Sequence, residues 1–235
     1  MNSIKQISLE LSISPFDVLT RLANKFEYPF LLESSAGGSY SFVGADPSII
    51  IKSKDGITEV AGKENFQSRE DPLIITKKLL KKYKVKHSIP YFCGGAVGYL
   101  SYDYVHRIER LPDLAKDDLG LPTAFFLLVD KVFVFDHRVN SLNLYTTDNE
   151  KTDLFLSTIE KPIKTTSKSK NSMPVSNFTK QKFVRMVKKA KEHISKGDIY
   201  QVNLSQRLHV QTSANPLCIY QKLREINPSP FSSYI

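Results

Sequence analysis

The chain has little of what would commit it to a membrane, an oxidising compartment or a metal. No apolar run approaches the ~18 residues that a membrane-spanning helix needs. The opening stretch Met1-Asn2-Ser3-Ile4-Lys5-Gln6-Ile7-Ser8 holds no continuous apolar core, which argues against a secretory signal. There are two cysteines, Cys93 and Cys218, far apart and outside any C-x-x-C pattern, and we expect reduced, buried thiols in a cytoplasmic protein. The five histidines share no spacing. Asp103 with His106, and Asp136 with His137, supply no full ligand set, so no metal is expected on residues of this chain. Gly94-Gly95-x-x-Gly98 has neither the glycine order of a dinucleotide fingerprint nor the lysine of a P-loop. Tyr99, Leu100 and Tyr102 follow it in a strand pattern, so these glycines read as places where backbones approach closely in a packed sheet.

What is present suits a folded protein of one large or two small domains: 235 residues, 41% of them apolar, with a net charge of +9. The charge sits in lysine clusters at 77–86, 161–170 and 188–191. Clustered lysine can bind a phosphate backbone. Here the first and third clusters fall on the polar sides of amphipathic helices, and the second lies in a polar linker. No zinc spacing, recognition helix or aromatic ribonucleoprotein motif accompanies them, so neither nucleic acid nor membrane is expected as a partner.

Periodicity divides the chain. Ser14-Pro15-x-Asp17 opens a helix over 13–26 with Val18, Leu19, Leu22 and Phe26 as its buried stripe. Short strands are expected at 28–34, 40–44, 48–53 and 57–60, with Asp55-Gly56 as a hairpin turn. A helix over 72–83 presents Leu73, Ile74, Leu79 and Leu80. Residues 124–135 read as one long central strand, followed by a turn at 136–140 and a strand at 142–146. The composition of 161–177 is that of a linker, between a first domain at 1–160 and a second beginning at 178. Beyond it, Phe183, Met186, Val187, Ala190 and Ile194 keep helical spacing up to Lys196-Gly197. A strand over 199–208 is expected next, with Gln201, Asn203, Ser205 and Arg207 on one face. A last helix starts at Asn215-Pro216 and buries Leu217, Tyr220, Leu223 and Ile226, and a strand begins at 231. Many strands with few helices indicate an α+β, sheet-rich fold.

Four blocks occur in order: Leu31-Leu32-Glu33-Ser34, Gly94-Gly95-Ala96-Val97-Gly98-Tyr99-Leu100-Ser101-Tyr102-Asp103, Gly197-Asp198-Ile199-Tyr200-Gln201-Val202-Asn203-Leu204-Ser205, and Asn227-Pro228-Ser229-Pro230. Together they resemble component I of the anthranilate and aminodeoxychorismate (para-aminobenzoate) synthases, over about the first half of a family member. The resemblance implies an anthranilate-synthase-like amino-terminal domain followed by the start of a chorismate-binding domain at 178–235, left incomplete in a truncated chain. It implies amination of chorismate with ammonia from a glutaminase partner, in a cytoplasmic enzyme that uses Mg2+. The catalytic residues and metal ligands would lie outside this chain, which is expected to be inactive alone. Gln201-Val202-Asn203-Leu204 is similar to the aminodeoxychorismate group, with anthranilate synthase and a non-catalytic amino-acid-binding fragment as alternatives.

In anthranilate synthases the Leu-Leu-Glu-Ser strand end and the residues after Asn-Pro-Ser-Pro form a feedback pocket for tryptophan. Carried over, that implicates Glu33, Ser34, Pro230, Phe231 and Ser232. Tryptophan-regulated members have Tyr-Met-Phe where this chain has Phe231-Ser232-Ser233. The two serines remove apolar contact that would be worth ~2–4 kcal/mol if fully buried, so tight tryptophan binding is not expected.

Overall fold

The computed structural model describes residues 3–33, 37–85, 87–112, 116–147, 150–161 and 170–235. Its elements run β1 (Lys5–Leu9), α1 (Pro15–Ala23), β2 (Phe30–Glu33), β3 (Tyr40–Gly44), β4 (Ile49–Lys54), β5 (Ile57–Gly62), β6 (Phe66–Ser68), α2 (Pro72–Lys82) and β7 (Gly95–Leu100). After a 3-10 turn at Tyr102–Arg107 come β8 (Ala124–Val129), β9 (Lys131–Asp136), β10 (Ser141–Thr146), α3 (Thr152–Glu160), β11 (Val175–Ser176), α4 (Lys180–Lys196), β12 (Leu208–His209), α5 (Pro216–Ile226) and β13 (Ser232–Tyr234). The chain divides into two compact units, Met1–Lys164 with Tyr220–Ile235, and Thr165–Ile219.

The first unit is built on two antiparallel sheets. One has six strands in the order β1-β10-β9-β3-β2-β13, the other five in the order β6-β5-β4-β8-β7. Side-chain alternation along each strand decides what fills the space between them. Phe30, Val132, Val134 and Tyr145 of the larger sheet meet Val97, Leu127 and Val129 of the smaller in one buried cluster. On the outer face of the smaller sheet, Ile49, Ile51, Val60 and Leu128 receive Ile75 and Leu79 of α2. On the outer face of the larger sheet, Phe133 stacks on Phe155 of α3, and α1 lies beside β2 and β3. β9 is therefore buried on both faces, as its run Val132-Phe133-Val134-Phe135 requires.

Local chemistry sets the element ends. Ser14 and Asp17 form a reciprocal capping box at α1, with Pro15 at the first helical position. Asp71 caps α2 through the Leu73 N–H and also accepts from the Tyr104 hydroxyl at 2.8 Å, fastening the 3-10 turn to that helix. Asp55 and Gly56 both take positive φ, as the tight β4–β5 turn demands.

Several expectations are corrected. Residues 124–135 are two strands in different sheets, broken at Asp130, whose carboxylate pairs with Lys63 and with the buried Lys131. α2 turns Pro72, Ile75, Thr76 and Leu79 inward and leaves Leu73, Ile74 and Leu80 exposed. The i, i+3, i+4, i+7 set that starts at Pro72 wins over the more apolar neighbouring positions. In α5, Tyr220 is buried while Leu223 and Ile226 are exposed. β1, β6 and α3 were not foreseen.

In the second unit α4 spans Lys180–Lys196, capped by Thr179 and ended by Gly197 at φ 80°. The strand expected over 199–208 does not form: only Leu208 and His209 pair, with Ser176 and Val175. A strand exists through its neighbour; among the described residues 199–206 join no ladder, and Arg207 meets Asn177, whose N–H donates to the Arg207 carbonyl and whose Oδ1 accepts from the Arg207 N–H. The unit carries ten Lys and Arg against Glu192 and Asp198, so it holds +8 of the chain's +9.

A Cβ on Gly98 would lie 1.9 Å from the Phe125 carbonyl oxygen across the β7–β8 ladder. Gly98→Ala is therefore expected to destabilise the protein by about 2–4 kcal/mol, read as a lower urea midpoint.

Candidate functional site

β2 carries Leu31 and Leu32 into the larger sheet and ends at Glu33. β13 pairs antiparallel with it, placing Ser232 opposite Glu33, Ser233 opposite Leu32 and Tyr234 opposite Leu31. The Glu33 side chain is only 3% exposed. A carboxylate so far from water needs partners, and both come from α5. The Tyr220 hydroxyl donates to Oε1 at 2.8 Å, and Arg224 Nη2 donates to Oε2 at 2.6 Å. Tyr220 and Arg224 are one helical turn apart and so reach the same face. Phe16 of α1 completes the packing: its ring lies 6.4 Å from that of Tyr220 and 5.4 Å from the Arg224 guanidinium. Tyr234 of β13 meets Tyr220 edge-on at 5.5 Å. Burial first, then the hydrogen bond to Glu33, pushes the Tyr220 phenol well above its ordinary range.

Beside this cluster opens a cavity of about 510 Å³, lined by Pro15, Glu33, Gly37, Gly38, Ser39, Ser41, His137, Arg138 and Arg224. Ser41 Oγ lies 2.8 Å from His137 Nε2. Arg138 grips Asp136 through Nε at 3.0 Å and Nη2 at 2.7 Å, and also donates to the Tyr40 hydroxyl. Its guanidinium holds the Asp136 carboxyl down at about 2. His137 also borders a second cavity of about 670 Å³, formed by residues 8–14 and the β9–β10 hairpin.

Of the residues singled out by resemblance, Glu33 lines the first cavity and Ser232 is its strand partner. Phe231 is 95% exposed and Pro230 is exposed as well. Ser34 lies outside the described residues. Sequence reasoning missed Arg224, Ser41 and Arg138, read Tyr220 only as part of an apolar stripe, and weighed His137 only as a metal ligand. The Tyr220/Arg224 spacing marks a shared helical face, but nothing in the sequence says that Glu33 faces it. Among the described residues no three His, Cys, Asp or Glu side chains converge as a metal site.

The family model described as chorismate binding enzyme matches residues 27–235. This chain belongs to the chorismate-binding enzyme family. Aminodeoxychorismate synthase component 1 of Bacillus subtilis is 39% identical over 231 residues, covering 92% of this chain and 49% of that protein. Anthranilate synthase component 1 of Acetivibrio thermocellus is 38% identical over 237 residues, covering 88% and 48%. The crystal structure of anthranilate synthase component I from Streptococcus pneumoniae TIGR4 superposes with a TM-score of 0.66 at 24% identity, over 82% of this chain and 46% of that one. That likeness establishes the fold, a mixed helix-and-sheet architecture. This family member spans about half the length of the curated relatives it matches.

Removing one partner of the buried pair strands the other. Glu33→Ala is expected to cost about 3–5 kcal/mol and Tyr220→Phe about 1–2 kcal/mol. The Glu33→Gln/Arg224→Gln double variant should lose at least ~1 kcal/mol less than the two single losses together, measured by urea unfolding.

Alkali provides a separate readout. Tyr145 shares a 2.6 Å hydroxyl contact with Tyr91 and is likewise raised, by burial first and then by that contact. Unfolded tyrosines release their protons near pH ~10, while the folded protein keeps those of Tyr145 and Tyr220. Their contribution is thus complete below pH ~10 and falls as the pH rises toward the folded values. The urea midpoint should drop between pH 9 and 11.5, and less steeply in Tyr220→Phe.

Proposed function

We propose that this chain serves component 1 of a chorismate-utilising synthase, on the branch that aminates chorismate to aminodeoxychorismate for para-aminobenzoate and folate. The observation that carries this reading is the family match over residues 27–235, together with the 39% identity to an aminodeoxychorismate synthase component 1. Gln201-Val202-Asn203-Leu204 supports the same branch. Ammonia would come from a glutamine amidotransferase partner. Substitution of a ring hydroxyl by ammonia needs a group to protonate the leaving oxygen and an electropositive centre to hold the substrate carboxylate. Mg2+ is the centre that the family resemblance implies. The described residues do not fit it, since no three carboxylates or imidazoles converge, and no step is assigned to this chain's own side chains.

A second reading concerns regulation by a small amino acid at the end of β2, with Glu33, Ser34, Pro230, Phe231 and Ser232 as its residues. What favours it is the Glu33–Ser232 register beside a cavity of about 510 Å³. Phe231, 95% exposed, would have to close over the ligand.

Deleting the gene in its host tests the main reading. Growth should come to need para-aminobenzoate and stay independent of added tryptophan. A tryptophan requirement, or no requirement at all, would overturn the aminodeoxychorismate assignment. Supplied with chorismate, ammonium and Mg2+, the purified 235-residue chain is expected to consume no chorismate.

A further inference from the structure

We propose that the long connection between β7 and β8 is a docking surface for a second copy of this chain. This goes beyond the synthase reading and does not depend on it. β7 and β8 are antiparallel neighbours, paired from Gly95 opposite Val129 to Leu100 opposite Ala124. A hairpin of that kind closes with about 2–5 residues. Here residues 101–123 lie between the strands, and among the described ones the 3-10 turn Tyr102–Arg107 is the single regular element. A connection of that length inside a compact unit does more than close the chain.

The segment is fastened at several points. The Ser101 N–H donates to the Thr123 carbonyl at 2.9 Å, and Thr123 donates to the Ser53 carbonyl through its N–H at 2.7 Å and its hydroxyl at 2.9 Å. Tyr104 is buried and donates to Asp71 at the start of α2. Lys54 pairs with Asp117 at 2.9 Å, and Asp117 also accepts from the Gly120 N–H. Yet the segment turns large apolar side chains to solvent. Tyr102 is 89% exposed and Ile108 69%, and Leu111, Leu119 and Leu121 are exposed as well. Apolar groups on a backbone already held in place lose little entropy when a partner covers them.

The charges on the segment select the partner. Among the described residues Arg107, Arg110 and Lys116 make no ion pair, and neither do Asp103 and Glu109. Both signs thus stand unpaired in the stretch that carries the exposed apolar residues. A two-fold axis brings the acids of one copy to the bases of the other, and each such pair occurs twice. An anionic membrane or a nucleic acid would instead meet Asp103 and Glu109 at close range. Net charge does not oppose the pairing: the second unit holds +8 of the chain's +9, which leaves the first unit at +1.

Sedimentation equilibrium of the purified chain, from low to high micromolar concentration, reads the association directly. Wild type is expected to form a reversible dimer. Ile108→Asp changes an exposed side chain, and should weaken the dimer at least tenfold with the urea midpoint unchanged. Arg107→Glu/Arg110→Glu and Asp103→Arg/Glu109→Arg should each self-associate at least tenfold more weakly than wild type. Mixed in equal amounts they should form a heterodimer, and Ile108→Asp in either one should abolish it. A dimer untouched by all of these changes would overturn the proposal by placing the contact elsewhere. Wild type that stays monomeric throughout would also overturn it. In that case flotation with phosphatidylglycerol vesicles separates a membrane surface, lost in Ile108→Asp, from a face reserved for a different protein.

Discussion

The carboxylate of Glu33 is the constraint around which the first unit closes. It is buried at the end of β2, and its two partners lie 187 and 191 residues further along the chain. Without them the charge would cost several kcal/mol to keep out of water. The chain therefore has to return α5 and β13 to the sheet that β2 began. β13 then completes the six-stranded sheet beyond β2, and Tyr234 closes over Tyr220 from the strand side. Two distant segments are held together by an interaction that is expensive to leave half made.

The same arrangement gives the neighbouring cavity its character. A pocket walled by a free glutamate would attract cations, but this glutamate is neutralised by an arginine that keeps hydrogen-bonding capacity to spare. Arg138 has a different history on the same wall: Asp136 takes it bidentately, two residues away on the β9–β10 hairpin. The two arginines thus separate into one that is spent locally and one that is oriented but only half used. Geometry distinguishes them where composition does not.

Local rules were legible wherever a signal acts within a few residues. Ser14-Pro15-x-Asp17, Asp55-Gly56, Lys196-Gly197 and Asn215-Pro216 each end or begin an element for a reason confined to one turn, and the four sequence blocks identified the family. Gly98 was also read correctly as a close approach, with the Phe125 carbonyl as the neighbour. What failed depends on partners far away in sequence. An apolar run at 124–135 cannot reveal that Asp130 passes the chain from one sheet to the other. Alternation over 199–208 says which faces a strand would have, but not whether another strand lies beside it. The site divides along the same line. Glu33 and Ser232 came from the family pattern, whereas Arg224, Ser41 and His137 gain meaning only when the fold brings them around one cavity, and Tyr220 only when it meets Glu33.

The second unit shows what happens when local signals act with little interior behind them. α4 has a good cap, a glycine stop and an apolar stripe, yet none of its residues is buried. Residues 199–206 have the alternation of a strand and no ladder. Into 55 residues the unit packs ten basic groups and two acidic ones. Such a surplus opposes compaction through self-repulsion and raises the local concentration of anions. A helix can persist under those conditions because its hydrogen bonds are internal, whereas a strand cannot. The contrast between a complete α4 and an unformed strand after it follows from that difference in where each element's hydrogen bonds must be found.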